Sequence, residues 1–511
     1  MKKNLLLVLS VLFAITAFTQ ATWNQDIAPI VFEHCAHCHH DGGIGPFSLT
    51  SYSEAAEEAD DILEHVLDGH MPPWPANPDY VHFLNENVLS EEQKSTITDW
   101  VIGGSLEGTG SQPEVPTFND GYALVDPDEV VAIPFYEVSV MVDEYRTYVI
   151  PSTSNEDRYI GSMEVEPGNT NIVHHVLFWY DPTNASQATD DGTPEPGFLS
   201  SGGAMSSPDA VLIGGWVPGA GMISWPENLG MKIPGGADWV VEVHYAPGSE
   251  GQSAGVNMRL KFKEAEFIRE VWNNSWLYHY PPSLQEAWLI IPANTTPTFH
   301  EESESSPVDL SLISVFPHMH LLGQTFKVYG LTEEGDTIRI VDVDQYEFHW
   351  QFNYTFPTLL KIPAESIVHG EATYDNTVNN EDNPNDPPQL VTLGEGTTDE
   401  MMICFFTYTY YLPGDENLSL ATSMAEIENK SIPLTCWPNP ANDKLSIALP
   451  GHPTGQLDVV ITDALGRTTS MLNYNVLNSV LNMNVSTLAG GCYTARIASD
   501  ENVYTTRFIV E

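Results

Sequence analysis

A histidine pair within an apolar run, NIVHHVLF, occupies Asn171–Phe178. The run belongs to a series of short alternating segments, interrupted by Pro, Gly, Asn and Asp, that begins near residue 120. Alternation with such interruptions predicts antiparallel strands packed as a β-sandwich. The predicted strands of this first series are Val138–Val142, Tyr145–Ile150, Ile172–Tyr180, Trp239–Tyr245 and Val256–Phe262.

A second series of the same kind runs from Ala287 to Leu412. Each series has about 150 residues, a usual size for one domain. We therefore predict a multidomain, mainly β protein with two antiparallel, jelly-roll-like β-sandwiches, residues 120–270 and 271–418. The predicted strands of the second series are Leu310–Val315, Thr325–Leu331, Thr337–Val343 and Met401–Tyr411.

Three histidine groups lie on predicted strands. His318 and His320 are two residues apart, so a strand places both on one face, where they can chelate one metal ion. His174 and His175 are adjacent and would point to opposite faces of a regular strand, so binding one metal ion there requires a bulge or another distortion. The third group holds His244, in the segment VEVHY. Any one of these histidines, taken alone, is more commonly a hydrogen-bonded core residue.

Imidazole combined with a weak thioether ligand suits copper. The segment TTDEMM, Thr397–Met402, ends in two candidate thioethers. The residues alone leave both Met401 and Met402 open as copper ligands.

A second metal-binding motif, CAHCH, occupies Cys35–His39. Two thiols spaced C-x-x-C and followed directly by histidine form a c-type haem attachment signal. Cys35 and Cys38 would bind the haem vinyl groups, and His39 would bind the iron. The alternative is that this motif binds zinc instead of haem, because further histidines lie close by at His34, His37 and His40.

The opposite face of the iron has a candidate ligand in DGHMPPW, Asp68–Trp74. Met71 would complete His/Met ligation, which raises the haem potential and suits electron transfer. His65 and His70 are its rivals. The MPPW segment resembles the distal segment of class I cytochromes c that are fused to bacterial enzymes, and this resemblance favours Met71.

Helical periodicity accompanies the haem motif. One helix is predicted at Ser53–Leu67 and ends before Gly69. A second helix is predicted at Glu91–Ile102 and ends before Gly103 and Gly104. We therefore predict a small all-α haem domain at residues 22–108, followed by a polar linker at 109–119.

The composition limits the partners of this chain of 511 residues. It has 18 Lys and Arg against 70 Asp and Glu, a formal net charge of −52, which argues against nucleic acid and anionic membrane surfaces. Residues 1–21 resemble a secretory signal peptide, because Lys2 and Lys3 precede the apolar run Leu5–Phe18, which is too short to span a bilayer. The mature protein is expected to be exported and to have no membrane span.

A final module is predicted at residues 434–511, after a linker at 419–433. Its segments PNPANDKL (Pro438–Leu445), DALGR (Asp463–Arg467) and LAGGCY (Leu488–Tyr493) resemble the type IX secretion sorting domain. The resemblance implies a small β-sandwich that engages the type IX secretion machinery, and a secreted or cell-surface protein that crosses the periplasm. Cys436 and Cys492 fall in this module, and we expect them to pair.

The region from about 120 to 415 resembles the copper type II, ascorbate-dependent monooxygenases, which include peptidylglycine α-hydroxylating monooxygenase and dopamine β-monooxygenase. The matching segments follow one another in the family's order. They are VHHV (Val173–Val176), VHY (Val243–Tyr245), HMH (His318–His320) before LG (Leu322–Gly323), and TDEM (Thr398–Met401), with DN (Asp375–Asn376) and PPQ (Pro387–Gln389) as context.

This resemblance implies two copper ions per chain. It places an electron-transfer copper at His174, His175 and His244, and an oxygen-binding, catalytic copper at His318, His320 and Met401, with Met402 as a close rival of Met401. It also implies hydroxylation of a C–H bond with O2, on a small-molecule or peptide-like substrate. The electrons would come from an external donor, either ascorbate or a redox protein.

Three positions depart from the family pattern. Phe316 replaces the arginine that grips the substrate carboxylate in the peptide-amidating enzyme, and Ile403 and Phe405 replace the asparagine and tyrosine that follow its methionine. The pocket floor is then apolar, so peptidylglycine is disfavoured as the substrate. The disulfides of the animal enzymes are also missing.

We therefore expect an exported copper monooxygenase whose electrons pass through its own haem c domain. The alternative is a non-catalytic haem/copper electron-transfer or copper-binding surface protein on the same scaffold, including an adhesin that uses copper structurally.

Overall fold

The computed structural model divides into two units, Met1–Leu420 and Ala421–Glu511. Most of the predicted signal peptide and of the linker at 419–433 lies outside the described residues. The described residues are 20–118, 123–124, 126–193, 196–200, 207–218, 220–226, 228–264, 268–421, 436–448, 455–463, 468–476, 480–486, 488–498 and 503–510.

A helical module opens the first unit. A π-helical turn, Trp23–Ile27, leads into α1, Ala28–His34, followed by α2, Tyr52–Glu57, α3, Ala59–Leu67, and α4, Glu91–Ile102. Serine capping boxes satisfy the first N–H groups of α2 and α4. The helix predicted at Glu91–Ile102 is confirmed. The helical structure predicted at Ser53–Leu67 is also present, but it is divided into α2 and α3, because the backbone at Glu58 leaves the helical region.

Part of the segment between α3 and α4 packs against the second β region instead of the helices. Ala76 and Phe83 belong to the hydrophobic core of the second β region described below. The backbone N–H of Asn77 donates to Asp342 O at 2.8 Å. The helical module is therefore joined to that β region by both apolar packing and backbone hydrogen bonds.

The first β region contains two large sheets, with the strand orders β1-β12-β4-β9-β13, where β8 pairs with β4, and β6-β3-β10-β5-β7, and a two-stranded sheet of β2 and β11. Apolar side chains from both sheets, such as Met163 and Val241, share one hydrophobic core. A short helix, α5, spans Ala185–Asp190. The strands are β1 Glu129–Ala132, β2 Tyr136–Glu137, β3 Glu144–Ile150, β4 Arg158–Glu166, β5 Val173–Asp181, β6 Phe198–Leu199, β7 Val211–Trp216, β8 Ile223–Ser224, β9 Leu229–Ile233, β10 Asp238–Tyr245, β11 Ser253–Ala254, β12 Asn257–Phe262 and β13 Arg269–Glu270.

The strand predicted at Val138–Val142 is wrong. This segment carries no strand. Val138 is buried in the core, and the backbone forms isolated hydrogen bonds, such as the one that Val138 N–H donates to Gln252 O. Met141 and Val142 are 64% and 67% exposed, so the alternation that indicated a strand does not mark a buried face.

The second β region has two four-stranded sheets, β14-β23-β17-β20 and β16-β21-β18-β19, around another core that contains the fully buried Phe326 and Phe406, and a two-stranded sheet of β15 and β22. Its strands are β14 Trp272–Tyr278, β15 Ile290–Ile291, β16 Thr298–Glu302, β17 Leu310–His318, β18 Gly323–Leu331, β19 Thr337–Val343, β20 Tyr354–Ile362, β21 Ile367–Tyr374, β22 Val391–Thr392 and β23 Ile403–Tyr410.

The second unit contains a three-stranded and a four-stranded sheet, in the orders β24-β25-β28 and β27-β26-β29-β30, around a small apolar core. The predicted partner of Cys436, the side chain of Cys492, lies outside the described part of the chain. The strands are β24 Cys436–Trp437, β25 Lys444–Ala448, β26 Gly455–Asp463, β27 Thr468–Val476, β28 Val480–Asn484, β29 Gly491–Ala498 and β30 Val503–Val510.

The prediction of a multidomain, mainly β protein with several separate sheets is confirmed. Among the described residues, no helix combines the length and the apolar character that crossing a membrane requires.

Candidate metal and haem sites

The adjacent histidines of the first β region lie at a β-bulge. In the antiparallel pair of β5 and β10, His244 pairs with His175, but the next residue, Tyr245, pairs with Val173. His174 is therefore the extra residue of the bulge, and bulges re-aim the side chains that they carry. This is the distortion that the sequence requires if both adjacent histidines are to bind one metal ion.

The three imidazole rings converge through the same ring nitrogen. The Nδ1 atom of His175 lies 3.2 Å from Nδ1 of His174 and 3.4 Å from Nδ1 of His244. Two nitrogens bound to one zinc ion at about 2.0–2.1 Å with tetrahedral angles would lie about 3.3 Å apart. We call these residues the three-histidine cluster, and its spacing fits a shared metal ion of this size.

The protonation of this cluster suits a metal ion. His244 Nε2–H donates to Asp143 Oδ1 at 2.7 Å, because a carboxylate only accepts, and this leaves Nδ1 of His244 with a lone pair. Burial is the main cause that lowers the pKa of His174 to about 3, and burial also lowers the pKa of His175 well below its usual value. Neutral imidazoles are the form that binds metal ions.

Asp143 also links the cluster to the second β region. Its second oxygen, Oδ2, accepts a hydrogen bond of 2.7 Å from the hydroxyl group of Thr397. Thr397 lies four residues before Met401, on the segment that precedes β23. A single carboxylate therefore orients His244 and holds the Met401 segment next to it.

The second pair of histidines lies where β17 ends. The ring centroids of His318 and His320 are 5.1 Å apart, and Met319 between them is fully buried in the core. His318 Nδ1–H donates to Gln351 Oε1 at 2.6 Å, and His320 Nδ1–H donates to Asp399 O at 3.2 Å. Both Nε2 atoms therefore keep a lone pair for a metal ion.

Glu400 fixes the backbone of this second site. Its carboxylate accepts the backbone N–H groups of His320 at 3.0 Å, Leu322 at 2.6 Å and Met401 at 3.1 Å. Burial raises the pKa of Glu400 to about 8, although these hydrogen bonds oppose the shift. Met402 is fully buried in the core whereas Met401 is half-buried, which favours Met401 as the ligand. Because the backbone N–H groups of His320 and Met401 share one carboxylate oxygen of Glu400, we group His318, His320 and Met401 as candidate ligands under the name His–Met cluster.

One aromatic ring contacts both clusters. The ring centroid of Phe348 lies 5.3 Å from that of His174 and 5.8 Å from that of His320. The two clusters are therefore neighbours on either side of one buried side chain. The sequence alone gave no signal for Phe348, Asp143 or Gln351, because a phenylalanine, an aspartate and a glutamine in loops have no diagnostic spacing.

An apolar surface lies beside His318. Phe316 and His318 share one face of β17, and the paired strand β23 places Phe405 opposite Phe316 and Ile403 opposite His318. The three apolar side chains are half-buried, whereas Cys404 on the other face is fully buried. A partly open apolar platform therefore adjoins the His–Met cluster.

The haem motif forms a helical turn. The backbone N–H groups of Cys38 and His39 both donate to Cys35 O, at 3.1 and 3.0 Å. His39 Nδ1–H donates to Phe47 O at 3.1 Å, which leaves a lone pair on Nε2 of His39 that could bind an iron ion. A Cβ atom on Gly45 would lie 2.7 Å from His39 Nδ1, so glycine is required for this ring position. These features fit an axial histidine.

The three candidates for the opposite axial position differ in exposure. Met71 is half-buried, and its N–H donates to His65 O at 2.9 Å. The side chains of His65 and His70 are 53% and 64% exposed and lie near Asp68. Of the rivals for zinc, His34 has both ring nitrogens in hydrogen bonds, to Asn87 and Gln93. These differences favour Met71 and leave the zinc interpretation without His34.

Comparisons with known proteins bear on the second unit. Residues 435–511 match the family model described as "Secretion system C-terminal sorting domain". No family model of copper monooxygenases or cytochromes c matches the chain, and no match was found among curated proteins.

Solved structures resemble the chain only weakly. The BSP domain of a biofilm-associated protein is 8% identical over 74% of this chain and 83% of that one, with a TM-score of 0.15. The VP2 subviral particle of infectious bursal disease virus is 10% identical over 57% and 74%, with a TM-score of 0.17. The β-glucuronidase of Parabacteroides merdae is 9% identical over 45% and 31%, with a TM-score of 0.12. TM-scores this low relate none of these folds to this one.

The match to a sorting domain indicates where the protein is located. Residues 435–511 form a type IX secretion sorting domain, and the protein is exported, either secreted or held at the cell surface.

Proposed function

We propose that this exported protein is a copper-dependent monooxygenase that hydroxylates a C–H bond of an organic substrate with O2. A fused c-type haem domain would relay the electrons from an external donor. The observation that carries the proposal is the pair of histidine clusters on either side of Phe348, each with ring nitrogens free to bind a metal ion.

The donor sets of the two clusters support copper. Three imidazoles in one cluster, and two imidazoles with a thioether in the other, are ligand sets that copper accepts. Bound copper supplies one-electron redox chemistry and activation of O2, and two such ions together supply the two electrons that hydroxylation requires.

The surrounding residues hold the ligands in place before any metal ion binds. Asp143 fixes the ring of His244, Gln351 fixes the ring of His318, and Glu400 fixes the backbone of His320 and Met401. Such partners orient the ligand atoms and select the tautomer that binds the metal ion.

The apolar platform supports a substrate class. Phe316, Ile403 and Phe405 offer apolar surface and no group that could pair with a carboxylate. Apolar side chains bind apolar surface by excluding water. We expect a substrate of low charge whose apolar part lies on this platform, with the reacting C–H bond near His318.

The helical module supports the haem relay. Cys35 and Cys38 would hold the haem covalently, with His39 and Met71 as the axial ligands, and His/Met ligation suits electron transfer. Covalent attachment also suits an exported protein.

Metal and haem analysis of the purified full-length protein tests the proposal, with two copper ions and one haem per chain as the expected result. His244→Ala and His318→Ala should each remove one copper ion. His300→Ala is the matched control, because this exposed histidine pairs with Glu286 outside both clusters. One copper ion or none in the folded wild-type protein would refute the two-copper mechanism.

Oxygen consumption then separates the enzyme from a binding protein. Copper-dependent O2 uptake should rise when a suitable apolar substrate is added, and the hydroxylated product should be found. Two bound copper ions without turnover of any substrate would favour the non-catalytic electron carrier.

A further inference from the structure

The loop between β19 and β20, Asp344–Phe352, contacts the helical module at both of its ends. We call it the bridging loop. A Cβ atom on Gly69 would lie 3.2 Å from Gln345 Oε1, and the ring of Phe352 lies 5.4 Å from that of Trp74, between centroids. Trp74 follows the candidate haem ligand Met71 by three residues. The loop therefore lies against the segment that would face the haem.

The middle of the bridging loop contacts both histidine clusters. Phe348 is 8% exposed and lies between the rings of His174 and His320. Gln351 binds His318 Nδ1–H through Oε1, and its Nε2–H donates to Phe348 O at 2.8 Å, which sets the orientation of the amide.

Further contacts hold this loop in one position. The hydroxyl group of Tyr346 donates to Met319 O at 2.7 Å and accepts Met319 N–H at 2.9 Å. Glu347 accepts a hydrogen bond of 2.7 Å from His349. That bond and the charge of His70 lower the pKa of Glu347, as expected where the loop meets the helical module.

We propose that the bridging loop is the electron conduit of this protein. Trp74, Phe352 and Gln351 connect the haem-binding segment to His318, and Phe348 connects the His–Met cluster to the three-histidine cluster. The inference rests on the proposed function. Electron tunnelling weakens steeply with distance and is faster through packed and hydrogen-bonded atoms than across solvent, so contiguous contacts define the route.

The electron balance of this route is simple. One electron leaves ferrous haem, which becomes ferric, and reduces one cupric ion at the His–Met cluster to cuprous. A one-electron donor of the ascorbate or redox-protein class then reduces the haem again. No proton is transferred in this step, and no covalent bond forms or breaks.

The first test measures the transfer from haem in full-length protein loaded with haem and copper, fully oxidised and free of oxygen. A photochemical donor delivers one electron to the haem, and haem absorbance then reports its reoxidation. Phe352→Leu should slow this reoxidation several-fold. Phe356→Leu is the matched control, because its ring contacts Phe83 at 5.3 Å at the same junction but outside the loop, and it should leave the rate unchanged.

The second test addresses Phe348. Phe348→Leu should keep fast haem reoxidation but slow the electron exchange between the two copper ions several-fold, followed by the electron paramagnetic resonance signals of the two sites. Phe348→Tyr keeps the ring and should restore the exchange.

The outcomes separate this inference from the proposed function. Wild-type protein that binds no haem or no copper refutes the proposed function, and the inference with it. Normal loading with unchanged rates in Phe352→Leu and Phe348→Leu refutes the inference alone. Equal slowing by Phe352→Leu and Phe356→Leu also overturns it, because a loosened junction would then explain the effect.

Discussion

Replacing Asp143 by alanine should weaken copper binding at the three-histidine cluster by about 10–100-fold, the usual cost of losing a hydrogen-bond partner of a metal-binding histidine. Asp143 accepts His244 Nε2–H at 2.7 Å and so keeps the lone pair of His244 on Nδ1, where the three rings converge. Without the carboxylate, the ring of His244 loses the acceptor that fixes its tautomer.

The expected loss of copper-binding free energy matches the strength of the hydrogen bond that is removed. A 10–100-fold loss equals about 1.4–2.8 kcal/mol, since each factor of ten is about 1.4 kcal/mol. A hydrogen bond to a charged group contributes about 1.5–3 kcal/mol. The side chain of Asp143 is 25% exposed whereas that of His244 is 1% exposed, so water screens the interaction only in part. Asp143→Asn keeps an acceptor and should lose less affinity than Asp143→Ala.

Competition with a chromophoric cuprous chelator measures the copper affinity of the three-histidine cluster. All proteins in this experiment also carry His318→Ala, so that copper binds only at this cluster. Asp157→Ala is the matched control, because it removes one carboxylate that pairs with Lys232 at 2.7 Å outside both clusters. Equal copper affinity in the Asp143→Ala and Asp157→Ala proteins, with both folded, would show that Asp143 does not position the ligand.

Three further changes test other parts of the structure. Gly45→Ala should push the ring of His39 out of place, because the new Cβ atom would lie 2.7 Å from Nδ1, and the visible spectrum should show loss of the axial histidine; an unchanged spectrum would contradict this. Met401→Leu should remove one copper ion, whereas Met402→Leu should keep both and cost less than about 1.5 kcal/mol in urea unfolding; the reverse pattern would reassign the ligand. Burial opposes ionisation of Asp181, but the hydrogen bonds that its carboxylate accepts lower its pKa to about 2. Asp181 therefore makes its whole contribution to the free energy of unfolding above the usual aspartate pKa, and this contribution is lost as the pH falls towards 2. Asp181→Asn should therefore cost about 1.5–3 kcal/mol at neutral pH and less at pH values near 2; a cost independent of pH would refute the assignment.

Most of the tested β structure could be predicted from the sequence, because alternation reports which face of a strand is buried. Tyr145–Ile150 and Trp239–Tyr245 are strands in the structure, as predicted. Val138–Val142 is an exception. Its apolar side chains alternate as they would in a strand, but the segment is not in a sheet, and only tertiary packing decides whether such residues are covered.

Some residues of the candidate site could be predicted from the sequence and others could not. Histidines in short apolar runs are rare enough to attract attention, and their spacing predicted the His318/His320 pair and the need for a bulge at His174. Asp143, Gln351 and Phe348 could not be predicted, because their roles depend on loops that meet residues far away along the chain. The contact of Asp143 with Thr397 spans both β regions, and no local pattern encodes it.

The bulge in β5 has a consequence for how such a site can be gained or lost. His174 is the one surplus amino acid relative to the partner strand, so removing it leaves a regular ladder with His175 opposite His244 and two imidazoles instead of three. Deleting this one codon would thus leave two converging histidines in a strand of regular register, and inserting it would restore the third. The length of this strand, as well as the identity of its residues, would then decide whether three imidazoles converge at this position.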